Sequence, residues 1–376
     1  MSRVSPYLGI VVGLLFGVFI IALFNNTTAV RVPASSTAAD DSPTLVAVIP
    51  VISTTTPTQT IPEQEKNTTT KIIPTTTPVS VPVVAPFPVT IPTKITVAEE
   101  NAALDVSSSK LRAALVNIIC SAPKSSGVQS ISAGGVFIDS KGIILTNAHV
   151  AQYFLLADRG VSCVIRSGSP AVNKYYARLI YISPTWINSN ADVLTKMLPH
   201  GTGEYDFAFL AVSKSMTRDP LPSSFPFVQL AATPSSVGTP VVIASYGAQF
   251  IETSQIESNL SPIIVFGLVK DIFTFGTNTV DVLDLGGSAA AQEGSSGGGV
   301  ADVSGELVGT ITTSTVSGST DTRSLSAITA SYIRAGYASE TGQALDLLLA
   351  KPTATSIIDF SSKIPALEAV LTSQLP

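Results

Sequence analysis

Between Val116 and Thr313 the chain is divided into short apolar runs, each bounded by turn residues. VNIIC, GGVFID, GIILT, CVIR, ARLIYI, FAFLAV, TPVVIASYG, IIVFGLV, VDVLDL and ELVGTITT succeed one another in this stretch. None is long enough for an ordinary helix, and Gly, Pro, Asn, Asp and Ser recur between them. Many short strands at this spacing predict an all-β sandwich or barrel. The globular text runs from about Val97 to Tyr337, room for one large β domain or two small barrels. Helical patterning is confined to its margins, in LRAALV at 111–116 and in SYIRAGY and GQALDLLLA near the end.

The chain before Val97 reads differently. Tyr7 to Phe24 is an uncharged apolar run of 18 residues, just long enough to span a bilayer as a helix, which takes about 20. Arg3 precedes it and no charge comes after it until Arg31, so the N-terminus is expected in the cytoplasm and the rest outside. Residues 1–24 are therefore read as a transmembrane anchor, with a cleaved secretory signal as the alternative. Both readings export the remainder of the chain. Residues 25–96 are rich in Thr, Pro, Val and Ser and nearly free of aromatics. Repeated prolines remove backbone donors and forbid helices and central strands, so this tract is expected to be a disordered, extended stalk.

Composition excludes several function classes. The 376 residues carry a net charge of −5 and only 12% charged side chains, with no Lys/Arg cluster, which argues against a nucleic-acid partner. Two histidines, His149 and His200, and two cysteines, Cys120 and Cys163, supply too few ligands for a multi-histidine metal centre or a zinc knuckle. Neither metal nor cofactor is expected.

Three motifs remain. In GGVFIDSKGIILTNAHV, residues 134–150, a strand–turn–strand leads to His149, which is held rigidly at a strand exit. In EYDFAFLAV, Asp206 opens an apolar strand, where a carboxylate needs water or a buried partner; an imidazole N–H is the partner that would orient a general base. In EGSSGGGV, glycines surround Ser296, and such a turn can aim consecutive N–H groups at one spot. Acyl transfer needs a nucleophilic hydroxyl beside such donors. Taken singly, each has a bland reading: a structural histidine, a solvated strand end, a flexible loop. Together they occur in the order His, Asp, Ser, which is one of the convergent triad orders. GSSGG also fits the nucleophile elbow G-x-S-x-G, but there the histidine comes after the serine, and none lies beyond His200.

With these pieces the sequence resembles trypsin-like serine proteases of chymotrypsin fold, in particular the HtrA/Deg-type branch. The matching segments extend from about Val116 to Ile328: VNI, GGVFIDSKGIILTNAHV, ARLIYISP, YDFAFLAV, VGTPVVIASYG, GLV, GSSGG, GELVGT and LSAIT. The resemblance implies two six-stranded antiparallel β-barrels with the site between them. It implies Ser296 as nucleophile, His149 as general base and acid, Asp206 as orienting carboxylate, and the N–H groups of Gly294 and Ser296 as oxyanion hole. It puts Ala290 at the base of the primary specificity pocket with Thr310, Ile311 and Thr312 facing it, and hence a preference for small or medium apolar side chains. The expected partners are protein or peptide substrates and the membrane; oligomeric state is left open.

Three departures bear on activity. Ser295 stands where the family usually has Asn or Asp, so no buried acceptor awaits a newly cut N-terminal amine. Gly299 stands where proline is usual, which loosens the oxyanion loop. After residue 337 only residues 338–376 remain, read as a short helical tail, too short for the peptide-binding PDZ domain that commonly comes next. The protease domain is thus read as residues 97–337. The long connection from Ser183 to Glu204 includes His200, expected to be a bystander. In the resembled barrel Cys120 and Cys163 sit on strands of one sheet, which implies a disulfide in an exported domain. The leading expectation is a membrane-anchored, extracytoplasmic serine endopeptidase; the rivals are an inactive protease-fold binding protein and a structural stalk with an inert head.

Overall fold

The computed structural model describes residues 96–196, 202–314 and 319–375. The expected anchor, the stalk up to residue 95 and His200 lie outside these residues. Among the described residues no helix is long and apolar enough to cross a membrane.

Helix α1, Val97–Ala114, opens on a reciprocal cap: Thr96 Oγ1 accepts the Glu99 N–H at 3.3 Å, and the Glu99 carboxylate accepts the Thr96 N–H at 2.8 Å. Its buried residues, Leu104, Ser107, Leu111 and Ala114, recur every three or four positions and mark one face. The helix is longer than the LRAALV pattern suggests. Its buried stripe is thin and partly polar, so cap and helix-forming residues extend it where apolar periodicity is weak.

Strands β1 (Leu115–Ser121), β2 (Ile131–Asp139), β3 (Ile143–Thr146), β4 (Ser162–Gly168), β5 (Ala171–Ile182) and β6 (Ala208–Ser215) close an antiparallel barrel in the order β1-β2-β3-β6-β5-β4. Cys120 and Cys163 face each other across the β1–β4 ladder with Cα atoms 4.0 Å apart, and they form a disulfide. Between β3 and this fourth strand lies the short helix α2, Ala148–Ala151. After β5 comes α3, Pro184–Asn190, capped by Ser183 Oγ on the Trp186 N–H.

The second half is built from β7 (Pro240–Ser245), β8 (Ile263–Leu268), β9 (Asp271–Phe273), β10 (Val282–Asp284), β11 (Gly299–Asp302), β12 (Leu307–Ser314) and β13 (Leu325–Thr329), with helix α4, Thr253–Asn259, between β7 and β8. Here the expectation of a second closed six-stranded barrel is corrected. The sheet is seven-stranded and open, in the order β8-β7-β11-β12-β13-β10-β9. One segment supplies both edges: β8 pairs with β7 and β9 with β10. At the two residues between them the ladder splits, the Val269 N–H going to Thr239 O and the Lys270 N–H to Asp284 O.

Helix α5, Ala330–Thr341, continues directly from β13, and α6 (Leu345–Ala350), α7 (Thr353–Ser361) and α8 (Ile364–Thr372) complete the described chain. The boundary drawn at residue 337 falls inside α5. These helices return to the first barrel, where α7 covers β5 and β6. That cover explains why FAFLAV is continuously apolar: β6 is buried from Ala208 through Val212. Tyr181 packs edge-on against Tyr337 at 4.8 Å and donates its hydroxyl to Glu340, whose carboxylate also accepts from Ser183 Oγ and the Thr185 N–H, both at 3.0 Å.

The disulfide and the Glu340 cluster each have a measurable effect. Denatured, unreduced protein titrated with a thiol reagent shows no reactive thiol, and replacing both cysteines with serine lowers stability by about 4 kcal/mol in chemical denaturation. Glu340→Ala, which strands buried donors at Tyr181 and Ser183, lowers it by about 2 kcal/mol.

Candidate active site

Strand register places the first two residues of the site. β3 and β6 run antiparallel with Thr146 opposite Ala208. His149 lies three residues beyond Thr146 and Asp206 two before Ala208, so both project from the same end of the ladder. Asn147 stands at the N-cap position of α2, and its side-chain amide donates to the Asp206 carbonyl at 3.0 Å. The Asp206 carboxylate accepts the His149 backbone N–H on Oδ1 at 2.9 Å and the His149 Nδ1–H on Oδ2 at 2.7 Å. Thr312 Oγ1, on β12 of the second sheet, donates to the same Oδ2 at 2.7 Å.

The turn feeding Asp206 is strained. Tyr205 adopts φ +55°, a left-handed conformation that costs a non-glycine residue about 1–2 kcal/mol. Its N–H is held by the Tyr332 hydroxyl of α5 at 3.0 Å. Such strain persists only where neighbours over-determine the backbone, and here it sets the entry of Asp206.

Electrostatics couples the pair. Burial, the largest influence on both groups, opposes their charged forms, lowering the His149 pKa and raising that of Asp206; the attraction and hydrogen bonds between them outweigh it. His149 is held above 6.5, while Asp206, 4% exposed, is held below 3.8 with further help from Thr312. The carboxylate thus stays ionised at neutral pH and fixes the tautomer with the proton on Nδ1. The imidazole remains 29% exposed, and among the described residues Nε2 has no hydrogen-bond partner.

Ser296 sits in the loop before β11. Gly297, at φ +80°, could bear no side chain, because a Cβ would overlap the Gly134 carbonyl oxygen and press on Thr146 Oγ1. A Cβ on Gly134 would in turn lie 2.9 Å from the Gly298 nitrogen. Two backbones therefore meet directly: the Gly134 N–H donates to Ser296 O at 2.6 Å, and Thr146 Oγ1 donates to Gly134 O at 2.8 Å. Ser296 is thereby registered on the strand end that carries His149.

The rest of the loop is pinned from behind. The Gly297 N–H reaches Ile311 O at 2.9 Å, while the Ile311 N–H and Thr310 Oγ1 share Gly298 O at 2.8 and 3.0 Å. Ser295 donates its hydroxyl to Ala290 O. The Ala248 N–H holds Glu293 O at 2.8 Å. In a trans peptide the N–H points opposite to the C=O, so this bond turns the Gly294 N–H away from Ala248. Among the described residues the N–H groups of Gly294 and Ser296 have no acceptor.

Of the residues expected to face the specificity pocket, Thr310 and Ile311 hold Gly298 O from behind the loop, and Thr312 donates to Asp206. Ala290 is fully buried beneath the loop. Among the described residues, one cavity of about 440 Å³ is bordered by Tyr153, Cys163, Tyr176 and Ile364, and another of about 310 Å³ by Trp186, Thr202 and Tyr205. The supporting roles of Thr312 and Tyr332 had no local signal in the sequence, because both depend on contacts with distant segments.

Residues 133–309 match the family model described as trypsin-like peptidase domain. No curated protein matches the chain. Among solved structures, the active form of the Rv3671c protease from M. tuberculosis is similar at 21% identity and TM-score 0.41, over 69% of this chain and 94% of that one. Its inactive form is similar at 18% identity and TM-score 0.40, over 65% and 96%.

A pH titration checks the coupling. In a His200→Gln background the His149 ring signals in NMR titrate with a midpoint above 6.5; in Asp206→Asn, where burial is the surviving influence, the midpoint falls below it. Stability depends on pH in the corresponding sense: the His149 contribution is full below pH 6.5 and is lost as pH rises through the raised folded value. The Asp206 contribution is present above pH 3.8 and is lost as pH falls through its depressed value.

Proposed function

Residues 133–309 are a trypsin-like peptidase domain, which makes the chain a serine endopeptidase, and we propose that it cuts peptide bonds through Ser296, His149 and Asp206. The observation that supports this reading is the His149 Nδ1–Asp206 bond of 2.7 Å, formed on the strand end against which the Ser296 loop is held by the Gly134 N–H to Ser296 O bond.

In the proposed cycle Ser296 Oγ attacks the scissile carbonyl carbon and its proton passes to His149 Nε2. The carbonyl oxygen becomes an oxyanion received by the Gly294 and Ser296 N–H groups. The imidazolium, stabilised by Asp206, gives its proton to the leaving amine as the C–N bond breaks and an acyl-enzyme remains. Water then attacks the ester, His149 takes the water proton, and its return to Ser296 Oγ releases the acid. Asp206 stays ionised throughout, which Thr312 supports by donating to it.

A second element of the reading concerns place. Tyr7–Phe24 anchors the chain and the Thr/Pro-rich tract carries the domain outside the cytoplasm, which suits the disulfide of the barrel, since such bonds persist in oxidising compartments. Activation by a new N-terminal amine is not part of the cycle. The position before the nucleophile is the neutral Ser295, whose hydroxyl is already used by Ala290 O.

Ser296→Ala abolishes labelling by a fluorophosphonate probe and peptide hydrolysis while the circular dichroism is retained; undiminished hydrolysis would refute the assignment. Asp206→Asn lowers kcat about 10⁴-fold through loss of tautomer and orientation. Thr312→Val lowers it about tenfold, the worth of one hydrogen bond to a charged group. Protease added to intact cells releases the domain by cutting within residues 25–96; a fully protected domain would refute export.

A further inference from the structure

Arg166 is the largest fully buried side chain in the described protein, 1% exposed, and it lies on β4, away from the triad. Its four acceptors are neutral oxygens divided between two parts of the fold. On the barrel side Nη1 donates to Asn117 Oδ1 at 3.1 Å and Nη2 to Ala171 O at 2.7 Å. On the other side Nη1 donates to Ile256 O at 2.9 Å and Nη2 to Glu257 O at 2.6 Å, carbonyls in the last turn of α4. Burying a guanidinium is costly, and an apolar residue would serve the barrel alone. What only an arginine supplies is a planar fork able to hold two successive carbonyls while bonding behind itself.

The segment so held is the one that shapes the oxyanion hole. Residues 246–262 connect β7 to β8 and carry both α4 and Ala248, whose N–H fixes Glu293 O and so directs the Gly294 N–H. A Cβ on Gly294 would lie 2.9 Å from Tyr246 O and 3.3 Å from Ala248, so the segment packs directly on that peptide. The first barrel grips it at two further points: Tyr246 donates its hydroxyl to Gly168 O at 2.8 Å, and the Ala171 N–H donates to Leu260 O at 2.7 Å.

Strand register links this clamp to the nucleophile. Across the barrel, Gly134 on β2, Asn117 on β1 and Arg166 on β4 lie side by side in one row. Asn117 is fixed by its own donations to Ala133 O at 2.8 Å and Ser132 Oγ at 2.9 Å. One end of the row, Gly134, binds Ser296 O; the other, Arg166, clamps the segment that holds Glu293 O. The geometry points to Arg166 as a positioning residue for the oxyanion hole, acting through α4 and Ala248 with Tyr246 as its companion. This inference rests on the triad reading.

The test uses the full chain with Arg166→Lys, Arg166→Met and Tyr246→Phe, the last removing a single hydroxyl and therefore safe for folding. Fluorophosphonate burst titration counts competent sites first, and kinetics are expressed per labelled site. Expected is a fall in kcat of about 10–100-fold in Arg166→Met, below the 10²–10³ lost with a whole oxyanion donor, a smaller fall in Arg166→Lys and Tyr246→Phe, and KM within about twofold. The Ki of a peptide boronate, which mimics the oxyanion adduct, rises in step with the loss in kcat/KM, and the His149 titration midpoint stays in place. If the wild type labels and every variant keeps wild-type kcat per site, or loses only its count of sites, this inference falls alone. A wild type that does not label overturns the triad reading and this inference with it.

Discussion

A carboxylate buried as deeply as Asp206 is tolerable only if every lone pair facing the interior meets a donor. Its donors come from separate places in the chain: the backbone and ring of His149 on α2, and Thr312 on β12 of the second sheet. No single element supplies enough of them. The closed barrel must therefore bring β3 beside β6, and the open sheet must dock so that β12 reaches across. The same bonds that let the charge be buried also aim the imidazole, so stability and chemistry draw on one set of contacts.

The meeting of the two halves at Ser296 is made of main chain. Gly134 and Gly297 approach so closely that neither has room for a Cβ, and the hydrogen bond from Gly134 to Ser296 replaces side-chain packing. Contacts of this kind place an atom more narrowly than a pair of flexible side chains does. They suit a reaction in which misplacement by about 1 Å is costly.

Much of this was legible in the sequence, for identifiable reasons. The strands that bury continuous apolar runs, such as GIILT and FAFLAV, became β3 and β6, and the motifs around His149 and Asp206 meet as a hydrogen-bonded pair. What escaped had no local signature. β9 is three residues long, and β11 starts inside a run of glycines, which disfavour strands by propensity. The opening of the second sheet depends on where the Val269 and Lys270 N–H groups point, which pattern cannot convey. Thr312 was legible as a residue near the site but not as a donor to Asp206, a contact that spans 106 residues. The cover of β5 and β6 by the C-terminal helices is equally tertiary, although it explains the unbroken apolarity of β6 after the fact.

The sequence separations of these contacts have a consequence for the life of the chain. His149 lies 57 residues from Asp206, and Thr312 lies 106 residues beyond it. Contacts of such span close late, after the entropy of long loops has been overcome. During synthesis the barrel emerges with His149 and Asp206, while Ser296 and β12 are still to come. On the reading proposed above, the polypeptide carries no cutting edge until the segments bearing Ser296 and Thr312 have left the ribosome, and the delay is written into the order of its segments.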